Sequence, residues 1–304
     1  MNLLVTGSSG LVGRAVMARL TGCGHQVTGL HRGAADTLGR PSWDPEAGEV
    51  RVDPSAGFDG VIHLAGETIA QRWTASACQR IRASRVEATR LLSEALAGWN
   101  PPPRVMLCAS ATGYYGDRGD EVLTESSAMG TGFLAEVCAA WEAAAEPARR
   151  AGVRVVHLRL GIVLAREGGA LARMLPIFRL GLGGRVGHGR QYWSWITLED
   201  VARVVEWALQ DSNLTGPVNV VAPEATTNAA FTAALGRSLR RPTWLPAPAL
   251  MVRAALGRMG QEALLSSARV RPARLLDRGF CWQWPELDAA LGHLLGGDEK
   301  AGRR

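Results

Sequence analysis

The chain has 304 residues, with 47% hydrophobic and 20% charged side chains, a formal net charge of +6 and a pI near 9.5. These values are typical of a globular protein with one large core, or with one core and a smaller appended lobe. They exclude a membrane span, since no run reaches about 18 apolar residues, and the scattered arginines favour small anionic ligands over a nucleic-acid partner.

Short runs rich in valine, leucine and isoleucine alternate with helical patterns along the first two thirds of the chain. The runs predict strands at 3–7, 25–31, 60–66, 104–110, 153–161 and 217–223. The helical patterns cover 11–22, about 74–98, 132–151 and 198–210. Repeated strand–helix–strand units predict an α/β fold, a Rossmann-like doubly wound parallel sheet with a smaller C-terminal lobe.

The change of pattern near residue 165 predicts where the two regions meet. Residues 1–164 are expected to form the Rossmann domain, whose sheet also takes in about 195–223. Residues 165–304 loosen into glycine-rich loops and short helices with scattered prolines. We interpret them as a smaller C-terminal lobe that closes over the carboxyl edge of the sheet and holds part of the substrate site.

The first chemical motif is VTGSSGLVGRAV, which joins the first predicted strand to the first predicted helix. Gly7, Gly10 and Gly13 have the spacing that permits a tight turn, the approach of a pyrophosphate and close helix–strand packing. The helix N-terminus offers free N–H groups and a positive dipole end to phosphates. This context predicts a dinucleotide site, and the alternative is a tight structural turn.

The end of the second predicted strand, GLHRGA, bears on which dinucleotide is bound. NAD sites usually carry an acid here for the ribose 2′-hydroxyl, but the first acid downstream is Asp36 and Arg32 takes the expected place. A guanidinium can hold a 2′-phosphate through paired hydrogen bonds. We therefore predict NADP(H), against the alternative that Arg32 is a solvated loop residue.

The cysteines and the lysine limit the chemistry of the interior. The five cysteines are scattered and form no CxxC pair, which favours reduced thiols over disulfides or a metal site. The N-terminus leads directly into a strand without the regions of a signal peptide, so we expect a cytoplasmic protein. The one lysine, Lys300, lies in the polar C-terminal segment, so no core site can use an ammonium group.

Several segments resemble the extended short-chain dehydrogenase/reductase family, and more closely its atypical, epimerase-like branch. The general resemblance lies in TGxxGxxG, HLAG (63–66), SATGYYG (110–116) and WITLEDVA (195–202). The closer resemblance lies in LAGETIAQRWT (64–74), IRASRVEAT (81–89), FLAEVCAAWE (133–142), FRLGLGGRVGHGRQYWSWI (178–196) and RVRPARLLDRGFCWQWPELDAAL (269–291). This branch is described as nucleoside-diphosphate-sugar epimerase-like, with its own small C-terminal domain.

The resemblance implies a set of cofactor positions. Along the expected path of the dinucleotide they are Gly7, Gly10, Leu11 and Val12 at the pyrophosphate, His31 and Arg32 at the adenosine ribose, Leu64, Ala65 and Gly66 at a strand end, Arg85 as a phosphate or ribose partner, and Val163 beside the nicotinamide. For Leu64 and Val163 the alternative is core packing. For Arg85 the alternative is an ordinary surface arginine on a helix.

The catalytic pair of typical relatives is missing. Such relatives carry a serine or threonine after a central strand, then a tyrosine and, four residues later, a lysine that lowers the tyrosine pKa. Ser110 can fill the first role, although the extra tyrosine in GYYG leaves the register open between Ser110 and Ala111. Counting back from Glu142 places the tyrosine position at Leu134 and the lysine position at Cys138.

Other side chains are candidate substitutes for that pair. Tyr114 and Tyr115 follow the serine strand, so we name them with Ser110 as candidate catalytic residues, the alternative being packing or substrate contact. Cys138 needs a depressed pKa to act as an acid or base. Further candidate acids or lid residues are Glu125, Glu142 and His188.

Three functions remain open from the sequence. The first is an NADP(H)-dependent oxidoreductase or epimerase of non-standard mechanism, acting on an unknown carbonyl or nucleotide sugar. The second is a non-catalytic NADPH-binding sensor or regulatory protein. The third is a structural or partner-binding protein in which the cofactor only supports the fold. We expect a monomer or a homodimer.

Overall fold

The computed structural model describes residues 1–33 and 40–296, so Asp36 and Lys300 lie outside the described residues. The strands are β1 (Asn2–Thr6), β2 (Gln26–Arg32), β3 (Ser42–Asp44), β4 (Glu49–Arg51), β5 (Gly60–His63), β6 (Val105–Ala111), β7 (Val122–Leu123), β8 (Arg154–Leu160), β9 (Ile162–Leu164), β10 (Tyr192–Trp193), β11 (Trp195–Thr197), β12 (Gly216–Val220), β13 (Thr226–Thr227) and β14 (Arg269–Val270). The helices are α1 (Leu11–Gly22), α2 (Ala75–Ala97), α3 (Phe133–Ala143), α4 (Glu146–Arg150), α5 (Gly169–Arg179), α6 (Leu198–Gln210), α7 (Asn228–Leu239), α8 (Ala249–Leu256), α9 (Ala273–Asp277) and α10 (Leu287–Leu295). Short 3₁₀ helices cover Pro54–Ala56 and Thr112–Tyr115, and a π-helix covers Gly260–Leu265.

The central sheet has eight strands in the order β12-β8-β6-β5-β1-β2-β3-β4. All neighbouring pairs are parallel except β3 with β4. The chain first moves outward from β1 to β2 and then returns to β5 on the other side of β1. The order therefore reverses between β1 and β5, which is where ligands bind in doubly wound sheets. The predicted α/β fold with a Rossmann-like sheet is confirmed.

Alternate residues of the central strands face opposite helical layers, as the two-residue period of a strand requires. Leu3 and Val5 pack in one core with Val16 of α1 and Val204 of α6. Leu4 packs in a second core, on the other face, with helices α2, α3 and α4. Because both faces of the sheet are covered, the strand sequences are nearly continuous apolar runs. Each fully buried aliphatic side chain contributes about 1.5–3 kcal/mol to the free energy of folding.

A third core lies in the second half of the chain. Helices α5, α7 and α10 pack there around Trp193, Trp195 and Phe231. Strand β11 pairs with β9 in a separate two-stranded sheet, whereas β12 joins the central sheet. The predicted division at residue 164 stays a prediction. Among the described residues, no helix has the length and apolar content that a bilayer crossing requires.

The helix predicted over 132–151 is two helices in the structure. α3 ends at Ala143, and α4 begins at Glu146 with Pro147 in its first turn. Proline lacks an N–H group, so it fits the first turn of a helix and is disfavoured in a helix interior. This break ends α3 one residue after Glu142, at the edge of the candidate site.

Candidate functional site

The glycine loop lies at the point where the strand order reverses. Gly7 follows β1 with φ of +67°, and a Cβ added there would lie 2.8 Å from backbone atoms of Leu64 and Ala65 after β5. A side chain at Gly13 would overlap the carbonyl oxygen of Gly7. The two strand ends and the start of α1 thus approach one another closely, and only glycine permits this.

Buried hydrogen bonds hold the two strand ends together. The Thr6 hydroxyl lies 2.7 Å from Nδ1 of His63, and Nε2 of His63 lies 2.9 Å from the Thr89 hydroxyl. The backbone amides of Leu64 and Ala65 donate to Thr6 Oγ1 at 3.1 and 3.3 Å. Burial lowers the pKa of His63 to about 4, so its ring is neutral at physiological pH. This network fixes the floor of the crevice.

The first turn of α1 presents backbone amides to the crevice. Gly10 is the N-cap residue, and no side chain in the described ranges caps this end of the helix. Leu11 packs against the turn after β9, because a Cβ added at Gly168 would lie 3.0 Å from Leu11 Cδ1. The half-buried Val163 is in β9 itself. The predicted residues Gly10, Leu11, Val12 and Val163 therefore lie around one helix end.

Residues His31 and Arg32 end β2, next to β1, and both are exposed. The Arg32 guanidinium pairs with Glu46 at 2.6 Å, and the two side chains are 62% and 84% exposed. An ion pair this exposed contributes about 1 kcal/mol or less, so Arg32 can exchange Glu46 for a phosphate at little cost.

Arg85 of α2 lies on the other side of the crevice, against Gly66. A Cβ at Gly66 would lie 3.3 Å from Arg85 Cζ, and the guanidinium lies over the Trp141 ring at 5.1 Å from its centroid. Arg85 donates to the Ile81 carbonyl and to Ser84 Oγ, and within the described residues no carboxylate forms an ion pair with it. Burial lowers its pKa. Arg85 is therefore a half-buried cation available to an anionic ligand.

Leu134 and Cys138, the positions at which the sequence predicts the tyrosine and lysine of typical relatives, are both in α3. Leu134 and Cys138 contact Gly113, whose added Cβ would lie 3.2 Å from Leu134 Cβ and 3.8 Å from Cys138 Sγ. Burial and, to a smaller extent, the nearby charge of Glu142 raise the pKa of the Cys138 thiol to about 12. The depressed pKa that a reactive thiol needs is therefore not found at Cys138.

Glu142, one turn beyond Cys138, is the centre of a buried polar network. Its Oε1 accepts from Ser110 Oγ at 2.7 Å and from Arg159 Nε at 2.8 Å, and its Oε2 accepts from Arg159 Nη2 at 2.8 Å. Arg159 is 3% exposed. Burial opposes its charge, but the Glu142 carboxylate outweighs burial and raises the pKa of Arg159.

Tyr115 extends this network to the neighbouring strands. Its hydroxyl accepts from Arg159 Nη1 at 2.9 Å and donates to Asn219 Oδ1 at 2.7 Å, and the whole side chain is buried. Burial raises the pKa of Tyr115. Ser110 and Tyr115 thus use their hydroxyl protons within the protein.

Tyr114 differs from Tyr115. Its ring lies on the Arg159 guanidinium, with Cζ 3.5 Å from the ring centroid, and it is half-buried. Among the described residues its hydroxyl has no hydrogen-bond partner, so of the three named catalytic candidates Tyr114 has the hydroxyl left for a ligand.

The remaining candidates lie elsewhere. Glu125 is buried, and its Oε1 accepts from the backbone amides of Asn219 and Arg274. His188 is exposed and accepts from the Arg190 amide through Nδ1. Within the described part of the chain, no three His, Cys, Asp or Glu side chains cluster in a way that could hold a metal ion.

Two elements of the site were missed from the sequence. The Thr6–His63–Thr89 network and Arg159 both place polar side chains inside apolar strand runs, LLVTG, GVIHLAG and VRVVHLRLG. A buried polar side chain needs a hydrogen-bond partner, so each polar residue within these apolar runs could have indicated a buried polar network. The partners themselves come from other strands and helices, and local spacing does not identify them.

The chain is similar to known proteins along most of its length. Residues 3–222 match the family described as the NAD dependent epimerase/dehydratase family, and residues 247–294 match a domain of unknown function, DUF1731. An epimerase family protein of Mycobacterium bovis is 43% identical over 290 residues, covering 95% of this chain and 96% of that protein.

Two solved structures are similar in sequence as well as in fold. The human epimerase family protein SDR39U1, crystallised with NADPH, has a TM-score of 0.87 and 34% identity, covering 97% of this chain and 99% of that one. A nucleoside-diphosphate sugar epimerase from Corynebacterium glutamicum has a TM-score of 0.80 and 36% identity, covering 98% of this chain and 58% of that one.

Proposed function

The chain belongs to the NAD dependent epimerase/dehydratase family of short-chain dehydrogenases/reductases, and we propose that it binds NADP(H) between β1 and β5. The observation that carries this proposal is the close approach of Gly7 to Leu64 and Ala65 at the reversal of strand order. A side chain at Gly7 would strike the backbone of Leu64 and Ala65, so only glycine lets the two strand ends lie together beside the start of α1, which no described side chain caps, as a dinucleotide-binding loop requires. Binding of NADPH by the human relative supports the choice of cofactor.

We assign the named residues to parts of the cofactor. Gly7, Gly10 and the amides of Leu11 and Val12 would hold the pyrophosphate at the α1 N-terminus. The ribose phosphate would lie at His31 and Arg32, with Arg85 as a second cation beside Gly66. Leu64, Ala65 and Val163 would line the path towards the nicotinamide. When bound, the cofactor supplies a hydride donor or acceptor.

The reaction we propose is hydride transfer on a carbonyl or nucleotide-sugar substrate, with a proton transfer that differs from that of typical relatives. Leu134 and Cys138 cannot supply it, because one is apolar and burial makes the thiol of the other a very weak acid. Tyr114 is the candidate proton donor, since it follows β6 at the carboxyl edge of the sheet and has a free hydroxyl. Ser110 and Tyr115 would position Glu142 and Arg159 beneath it.

The test follows the absorbance of reduced nicotinamide with a panel of carbonyl compounds, and chromatography of the products with a panel of nucleotide sugars, because epimerisation returns the hydride and leaves that absorbance unchanged. We expect turnover that falls at least about a hundredfold in Tyr114→Phe, within the usual range for loss of a general acid. Cys138→Ser serves as the control and should keep most of the activity. Turnover that is unchanged in Tyr114→Phe would remove Tyr114 from the mechanism.

The second candidate function is a non-catalytic NADPH sensor. The observation in its favour is that the hydroxyl protons of Ser110 and Tyr115 are already used within the protein, while Leu134 and Cys138 replace the usual pair. Tight NADPH binding without turnover on any member of the panels would favour the sensor. The cytoplasmic location and the monomeric or homodimeric state stay predictions.

A further inference from the structure

Two segments of the C-terminal half are basic throughout. Residues 168–198 and 225–261 contain nine arginines and no aspartate or glutamate. The segments meet in the fold: Val186 pairs with Ala247, and a Cβ at Gly181 would lie 3.4 Å from Pro242. Asp288 and Glu262 pair with Arg237 and Arg258, but Arg185 and Arg241 form no ion pair with the described residues and leave positive charge where the two segments meet.

The same two segments carry most of the exposed large apolar side chains. Seven of the ten such residues described fall within them: Ile177, Leu180, Leu182, Trp244, Leu245, Leu250 and Met251. Trp244 is 85% exposed and Leu250 is 77% exposed. Apolar side chains that protrude together among positive charges are typical of an interaction surface rather than of an ordinary solvated face.

A pocket opens within this surface. It has a volume of about 280 Å³, and its lining includes Arg185, Thr232, Thr243 and Trp244. In the described ranges, neither Arg185 nor Arg241 has a carboxylate within ion-pair distance. An aromatic wall, hydroxyl groups and an unpaired guanidinium suit an acidic side chain next to an apolar one.

We propose that this surface, formed by 177–185 and 241–251, binds an acidic protein segment whose apolar side chains pack on Trp244 and Leu180. Charge complementarity selects this occupant, because two copies of a face with no carboxylates would repel each other. The pocket favours a protein segment over a lipid surface, because a discrete cavity receives a side chain.

The test uses a fluorescein-labelled synthetic helix with leucines on one face and glutamates on the other, followed by fluorescence anisotropy. We expect binding by the full chain that weakens with added salt. Trp244→Ala and the double variant Arg185→Glu/Arg241→Glu should each raise the Kd at least about tenfold, as interface anchors do. The matched controls are Met129→Ala and Arg104→Glu, an exposed apolar residue and an exposed arginine outside the surface, which should leave the Kd unchanged.

Several results would overturn the proposal. One is absence of binding, and another is equal binding of a matched peptide with lysine in place of glutamate. Equal Kd values for the wild type and the Trp244→Ala variant would also contradict it. The proposal would also be contradicted if the chain co-sedimented with phosphatidylserine vesicles, or formed a dimer in ultracentrifugation, and Trp244→Ala abolished that association. None of these measurements depends on NADP(H) binding or turnover.

Discussion

The Glu142 carboxylate binds the Arg159 guanidinium through two hydrogen bonds of 2.8 Å each, in a site where Arg159 is 3% exposed. The pair joins α3 to β8 and takes Ser110 and Tyr115 into the same network. The Arg159 guanidinium lies on the Tyr114 ring, so the pair shapes the surroundings of that tyrosine.

Removal of Glu142 should destabilise the fold. Glu142→Ala leaves a buried guanidinium without its counter-charge, and we expect the free energy of unfolding to fall by about 3 kcal/mol or more. Urea denaturation measures this change. Glu146→Ala is the matched control, since Glu146 binds Arg149 and Arg150 at the surface, and its loss should be much smaller. Equal losses in both variants would contradict the importance of the buried pair.

Gly7 should tolerate no side chain. Gly7→Ala places a Cβ against Leu64 and Ala65 at a positive φ, and we expect it to cost about 1–3 kcal/mol of stability and to weaken NADPH binding. Thermal unfolding and calorimetry measure the two effects. Gly22→Ala is the control, because a Cβ there meets nothing within 4 Å. Unchanged stability and NADPH affinity in Gly7→Ala would mean that the backbone of Leu64 and Ala65 leaves room for a side chain at this position.

Stability should decrease in mild acid because of His63. Its pKa is about 4 in the folded state and about 6.5 when unfolded. The unfolded state therefore binds more protons between these values, and stability falls as the pH drops from about 6.5 to 4, by about 3 kcal/mol in total. Burial also lowers the pKa of His157, which acts in the same direction.

Urea denaturation at several pH values tests this dependence. His63→Asn should flatten the slope between pH 6.5 and 5, whereas Met129→Ala, at an exposed residue that carries no titratable group, should leave it unchanged. The account of the His63 network fails if both variants keep the wild-type slope.

The thiols should divide by burial. Cys23 and Cys281 are exposed, while burial raises the pKa of Cys108 and Cys138 to about 12. At pH 8 we expect a thiol reagent to modify Cys281 rapidly, Cys23 more slowly because its hydrogen bond with Glu206 raises its pKa, and Cys108 and Cys138 only after unfolding. Mass spectrometry of labelled peptides measures this order. Rapid labelling of Cys138 in the native protein would restore it as a candidate acid or base.

The parts of the fold that follow local rules were predictable from the sequence. The predicted bounds of 11–22 and 198–210 agree with α1 and α6, because each helix has a clear start and one apolar face. The prediction of a single helix over 132–151 was wrong. The apolar pattern suggested one continuous helix, but Pro147 lies in the first turn of a second helix, a position that proline fits well.

The site was predictable only where a short motif carries its chemistry. Gly7 and Gly10 have a spacing with a direct backbone reason, and the structure places them at the strand reversal. Arg159, on β8, lies 17 residues after Glu142 in the sequence. The Tyr115 hydroxyl bonds to Asn219 across 104 residues. Pairings of this kind depend on strand order, which local sequence patterns do not determine.

Calorimetry of the purified apoprotein with NADPH and with NADH tests the central claim most directly. We predict saturable binding of NADPH at one site, weaker binding of NADH, and a Kd for NADPH that rises at least about tenfold in Arg32→Ala, through loss of a charge-assisted contact. Arg104→Ala, at an exposed arginine directly before the amino end of β6, should leave that Kd unchanged. The absence of heat and of any complex with either dinucleotide would contradict the account.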